Sequence, residues 1–131
     1  MSSTSSQLLR CAPYFPVADV NASTNYYERV LGFRYEYSAG SPAQFAIVSR
    51  DGLGIMFRLV SPSQLIRPNE QQGGTWDAFF WVRDVKSLHE ELLQNGADIV
   101  YGPMIQESYH MEEFAVRDCA GYVLGFGQEL G

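Results

Sequence analysis

The chain is short of cysteine, of positive charge and of long apolar runs, and each shortage narrows what it can be. Its two cysteines, Cys11 and Cys119, stand in no metal-ligand spacing, and neither has an evident base nearby in sequence. They read as inert small residues rather than nucleophiles. Nine basic residues against fifteen acidic ones give a net charge of −6. That balance argues against a nucleic-acid backbone as partner and favours neutral or cationic ligands. No apolar run approaches the roughly 20 residues that span a bilayer, so no membrane partner is expected. Residues Met1 to Ser6 lack the charged and apolar stretches of a signal peptide. A reduced, cytoplasmic protein is expected, with residues 1–7 a disordered tail.

What the chain does have is a repeat. Val17-Ala18-Asp19-Val20 opens a helical stretch closing at Leu31-Gly32, and Val82-Arg83-Asp84-Val85 opens another closing at Asn95-Gly96, about 65 residues on. Phe45-Ala46-Ile47, Gly52 and Ile55 are answered by Phe114-Ala115-Val116, Gly121 and Leu124, all at one offset of 69. A unit this long exceeds the 20 to 50 residues of solenoid repeats, so two modules completing one another are expected, with function between them. At 131 residues and 46% hydrophobic content, one body is enough to hold both.

Within each half the hydrophobic period changes from two to about 3.6 and back. Leu9 to Val17 and Trp76 to Val82 read as strands. Asp19 and Asp84 stand at helix N-caps. Val20, Thr24, Tyr27 and Leu31 share one face of the first helix; Val85, Leu88 and Leu92 share one of the second. Gly32 and Gly96 supply left-handed C-terminal caps. Strands then follow over Phe33 to Tyr37, Gln44 to Ser49 and Leu53 to Val60, and over Ile99 to Tyr101, His110 to Arg117 and Tyr122 to Gly127. Each half is βαβββ, spanning 8–60 and 75–128, and 61–74 has the Ser-Pro, Arg-Pro-Asn and Gly-Gly composition of a linker.

An Asp-capped helix after a first strand, ending in Leu31-Gly32-Phe33, and a late Phe114-Ala115-Val116-Arg117-Asp118 before Ala120-Gly121 resemble the vicinal oxygen chelate superfamily. That superfamily includes glyoxalases, extradiol dioxygenases, fosfomycin-resistance enzymes and bleomycin-resistance proteins. The resemblance covers Leu9 to Gln128. It implies an α+β fold in which two βαβββ modules form cup-shaped mixed sheets, and a homodimer that pairs modules across its axis. It also implies a divalent metal held by His or Gln early and Glu late in each module. The matching positions here are Ala12 and Asp77, then Met56 and Gly125. Only Asp77 offers a hard donor, and a metal site needs three or four. The inherited metal centre therefore reads as lost, and no cofactor is expected.

If Asp77 points into the cup, strand alternation sends Phe79 and Trp81 the same way, and by the same parity Tyr14 follows Ala12 and Arg58 follows Met56. Glu113 and Arg117 share a parity on the late strand. Tyr14, Met56, Arg58, Asp77, Phe79, Trp81, Glu113 and Arg117 thus form the candidate ligand-binding set, suited to an aromatic or amphipathic small molecule. The plainer reading is that Phe79, Phe80 and Trp81 pack both faces of a buried strand; Phe80 is assigned to packing. His110 reads as a solvated edge and His89 as part of a solvent face. Asp51 and Asp118 read as caps of their own turns. Two functions remain open: a metal-free binding protein resembling the bleomycin-resistance branch, or an isomerase, lyase or dioxygenase with a rearranged site around Asp77 and Glu113.

Overall fold

Two copies of one unit account for the regular structure in the computed structural model, which describes residues 6–131. The first five residues of the expected tail lie outside the described residues. Module 1 runs β1 (Tyr14–Val17), α1 (Val20–Arg29), β2 (Arg34–Ala39), β3 (Phe45–Arg50) and β4 (Leu53–Leu59). Module 2 runs β5 (Ala78–Trp81), α2 (Val85–Gln94), β6 (Asp98–Gln106), β7 (Met111–Arg117) and β8 (Val123–Glu129). The sheets are ordered β1-β4-β3-β2 and β5-β8-β7-β6. In each, the first strand pairs parallel with the last and the other pairs are antiparallel. The architecture is the α+β arrangement of two mixed sheets expected from the sequence.

Both helices start where a short carboxylate satisfies an orphan amide. Asp19 accepts from Ala22 N at 3.0 Å and Asp84 from Ser87 N at 3.1 Å. Gly32 and Gly96 follow the helices at φ +76° and +90°, where a side chain would be strained. The expected apolar face of α1 is buried, from Val20 through Thr24 and Tyr27 to Leu31 beyond its end. On α2, Val85 and Leu92 are buried and Leu88 is partly so. His89 departs from the solvent-face reading: it is partly buried, its ring meeting Phe114 of β7 edge-on at 5.1 Å.

Each sheet has a helix-facing side and an open side. On the helix side lie Ala46, Val48, Ile55 and Phe57 in module 1 and Phe114, Val116 and Leu124 in module 2, all fully buried. The modules join through these helix-side residues. Tyr27 donates to Asp118, Phe15 stacks on Tyr122, Phe33 meets Phe80, and Arg50 holds Glu91 through two hydrogen bonds of 2.8 Å. One continuous core results, containing Tyr27, Phe57, Phe80 and Phe126. The boundary between modules of one chain is therefore filled, and the two open faces look away from it.

Several strand limits differ from the sequence reading, for physical reasons. Strand β1 begins at Tyr14 rather than Leu9, because its ladder with β4 starts at the Tyr14–Met56 pair, and Leu8 and Leu9 are 92% and 83% exposed. Strand β6 runs on past Tyr101 to Gln106. Gly102-Pro103 is a bulge within it rather than an end: β6 is an edge strand, where proline is tolerated, and Gly102 takes φ +84° with Phe114 Cα 2.9 Å from where a Cβ would stand. His110, at φ +54°, belongs to the turn before β7. The segment 61–74 carries two short 3-10 turns, Ser63–Leu65 and Asn69–Gln72.

The repeat itself holds at two different offsets. Met56 and Phe57 correspond to Gly125 and Phe126 at 69, but their partners on the neighbouring strands, Ile47 and Ala46, correspond to Ala115 and Phe114 at 68. The turn Cys119-Ala120-Gly121 is one residue longer than Asp51-Gly52 once the Asp118–Tyr122 backbone bond is included. Phe45 and Phe114, matched in sequence, thus face opposite sides: Phe45 lies on the open face beside Tyr14 and Tyr37, and Phe114 in the core.

Candidate functional site

The open face of module 2 is built around a buried carboxylate. Glu113 on β7 pairs with Gly127 on β8 and Met104 on β6, and it is 0% exposed. Two phenols reach it: Tyr109 donates to Oε1 at 2.7 Å, and Tyr101 donates to Oε2. Trp76 Nε1 in turn donates to the Tyr101 hydroxyl at 2.8 Å. Partial burial, reinforced by Glu113, pushes the Tyr109 phenol up to about 12 and raises Tyr101 as well. Both are protonated donors at neutral pH.

Aromatic rings lie over β8, the strand beside this carboxylate. Phe79 meets Trp76 at 4.7 Å and Trp81 at 5.1 Å, both edge-to-face. The rings can lie so close because β8 is bare beneath them. A Cβ on Gly125 would stand 2.6 Å from Trp76 and 2.7 Å from Phe79, and one on Gly127 would stand 2.6 Å from Phe79 and from Met111. The outermost ring, Trp81, is 65% exposed. The open face of module 1 lacks such a cover. Tyr14 and Tyr37 are each 52% exposed around Phe45, with the Arg58 guanidinium 6.0 Å from the Tyr14 ring centre. Met56 and Ile47 pair across β3 and β4 on the same face.

The candidate residues therefore fall into two groups within one chain: Tyr14, Met56 and Arg58 on module 1, Phe79, Trp81 and Glu113 on module 2. Asp77 and Arg117 have other partners. Asp77 accepts from Asn69 N at 2.8 Å and Val123 N at 2.9 Å, which ties the linker to the start of β8. Arg117 is held by Glu70 and Asp98. Asp118, as expected, caps its turn through Ala120 N and Tyr122 N, both at 2.9 Å.

The positions inherited from a metal centre do not fit a metal. Ala12 and Met56 bring no hard donor, both Asp77 oxygens accept backbone amides, and the space over Gly125 holds the Trp76 indole. Among the described residues no three of His, Cys, Asp and Glu come together to hold an ion. A groove of about 530 Å³ is lined by Phe33, Leu53, Phe80, Leu88 and the Arg50–Glu91 pair, and Trp81 borders it as well.

Three residues of the site escape a sequence reading. Tyr101 shares the face of Ala115, its partner on β7, but the register shifts on both sides of it, after Ile99 and before Met104, so strand parity does not find it. Trp76 precedes β5, and Tyr109 sits in a turn, where no period applies.

Solved structures share this fold along nearly the whole chain. TioX from Micromonospora sp. ML1 is 22% identical with a TM-score of 0.74, covering 93% of this chain and 99% of that one. The bleomycin-binding protein of Streptomyces verticillus, solved with copper(II)-bleomycin, is 20% identical with a TM-score of 0.68, covering 97% and 99%. TnmS3, an antibiotic-binding protein from Streptomyces sp. CB03234, is 19% identical with a TM-score of 0.68, covering 98% and 100%. At such identities the likeness is one of fold. No protein of curated function matches the chain. The family model described as the Glyoxalase/Bleomycin resistance protein/Dioxygenase superfamily matches residues 7–126. With that match spanning nearly all of the two βαβββ modules, the chain belongs to the glyoxalase/bleomycin resistance protein/dioxygenase superfamily.

Proposed function

We propose that this protein binds and sequesters an aromatic or amphipathic small molecule, neutral or cationic, without a metal and without transforming it. The ligand sits in a cup formed by module 1 of one protomer and module 2 of its partner in a homodimer. The observation that carries this reading is the pair of outward-looking aromatic faces, Tyr14, Tyr37 and Phe45 on one module and Phe79 and Trp81 on the other. Half-exposed rings clustered on a concave sheet are costly to leave in water, and a second copy plus a flat ligand would cover both faces. The engagement of Asp77 with two backbone amides weighs against a base at that position and so favours binding over the enzyme reading. A bleomycin-binding protein and an antibiotic-binding protein of the same fold lend the reading support.

Two measurements test it. Light scattering at micromolar concentration is expected to give a dimer, with an interface well over ~1,000 Å²; a monomeric mass counts against the shared cup. Calorimetry with bleomycin and with planar aromatic dyes is expected to find a ligand whose affinity falls at least ~1.5 kcal/mol, about tenfold, in Trp81→Ala. Unchanged affinity in that variant places the ligand elsewhere.

A further inference from the structure

Two carboxylates are buried among the described residues, Asp118 and Glu113, and they are satisfied in different ways. Asp118 accepts two backbone amides of its own turn together with Tyr27, so its place in the fold is accounted for. Glu113 receives only the hydroxyls of Tyr101 and Tyr109, and no salt bridge among the described residues reaches it. A carboxylate accepts about four hydrogen bonds, so roughly half of its capacity is unused. Burying a carboxyl group with acceptor capacity to spare carries a desolvation cost that a further donor would offset.

The surroundings suit a cation. Trp76, which fastens Tyr101, meets Phe79, and Phe79 meets Trp81, so aromatic rings gather on this face, and ring faces attract positive charge. The two hydroxyl arms also differ. Tyr101 is fastened from behind by Trp76 Nε1. Tyr109 is 45% exposed, on the short turn between β6 and β7, next to His110 at φ +54°. A non-glycine residue in that left-handed region is strained, and strain of this kind collects at ligand clamps and switch segments. The donor on Oε1 is thus the loosely held one, and it stands between the carboxylate and solvent.

We propose that Glu113 anchors a protonated nitrogen, an ammonium or amidinium carried on an aromatic body, and that the Tyr109 hydroxyl holds that position in the free protein and swings aside when the ligand enters. The proposal rests on the reading of the open faces as a ligand cup and adds the charge and the contact atom. The ring system lies against Phe79 and Trp81, and the ligand's N–H replaces the Tyr109 O–H on Oε1.

The test uses two dyes with the same three-ring body, 9-aminoacridine, cationic at neutral pH, and acridine, uncharged there, titrated calorimetrically into the full-length protein. Wild type is expected to bind the cation at least tenfold more tightly. Glu113→Gln is expected to bring the two affinities within about twofold by weakening the cation alone. Glu107→Gln, which removes a charge from the same turn, is expected to leave the ratio unchanged. Should Glu113→Gln fail to fold, Tyr109→Phe decides: freeing Oε1 is expected to tighten 9-aminoacridine about threefold and leave acridine unaffected. A ratio unmoved in Glu113→Gln, equal weakening of both dyes, or no gain in Tyr109→Phe overturns the anchor. If acridine binding is nevertheless lost in Trp81→Ala, only the anchor fails and the aromatic cup stands. If neither dye binds wild type, or Trp81→Ala leaves acridine unchanged, the cup reading falls and the anchor with it.

Discussion

Tyr27→Phe probes the joint that holds the two modules with their open faces outward. The Tyr27 hydroxyl donates to Asp118 Oδ2 at 2.6 Å across the module boundary, with both residues buried. Removing it leaves the ring in place, creates no cavity, and strips one charge-assisted hydrogen bond from a buried carboxylate, a loss of about 1.5–3 kcal/mol. Against a total stability on the order of 5–15 kcal/mol this is a large share. For a chain of this size it corresponds to a fall in Tm of about 6–12 °C, readable by circular dichroism. The pH dependence carries the sharper signature. Burial raises the Asp118 pKa, and the Tyr27 hydrogen bond is the strongest influence lowering it, so the substitution raises it further. A carboxyl with a raised native pKa contributes stability that is complete below its unfolded pKa and is lost as the pH rises through the native value. The penalty of Tyr27→Phe is therefore expected to be greatest at neutral pH and to shrink on acidification toward the ordinary carboxylate range. A loss below about 0.5 kcal/mol, or one constant with pH, would refute the assignment of this pair as the clamp between modules.

Two further outcomes follow from the same geometry. Gly125→Ala places a methyl 2.6 Å from Trp76 and 2.7 Å from Phe79; it is expected to cost about 1–3 kcal/mol by overpacking and to alter tryptophan fluorescence, while an unchanged spectrum and unfolding midpoint would show that the rings do not lie over the glycine. Protein purified without chelator is expected to carry less than one Zn, Ni, Mn or Fe per chain, with no glyoxalase or ring-cleaving activity; one tightly bound ion per chain, lost in Asp77→Ala, would overturn the metal-free reading.

The parts of the fold legible in the sequence are those set by local rules. Asp19 and Asp84 could be placed at helix starts because capping needs only a short acceptor and an amide three residues on. The buried stripe of α1 follows from its 3.6 period. Strand parity likewise placed Phe79 and Trp81 on one side and Phe80 on the other. What escaped depends on partners distant in sequence. The continuation of β6 through Gly102-Pro103 is permitted by its edge position, which only the sheet order reveals. The hydroxyls on Glu113 come from a strand and a turn whose juxtaposition no spacing announces. Asp77, legible as a carboxylate on the right face, is claimed by amides of the linker and of β8 that sequence could not bring near it.

The extra residue in the Cys119-Ala120-Gly121 turn has an evolutionary consequence. Because side chains alternate strictly along a strand, one inserted codon in a hairpin exchanges every inward residue of the adjoining strand for its outward neighbour at once. Point substitution would need a separate event at each position to do the same. In a duplicated gene, such an indel lets one half change the chemistry of its wall in a single step while the other keeps the ancestral arrangement. Here the result is a protein that is symmetric in backbone and asymmetric in surface, with Phe45 on one wall where Glu113 stands on the other. A guest held between two such halves has a head end and a tail end.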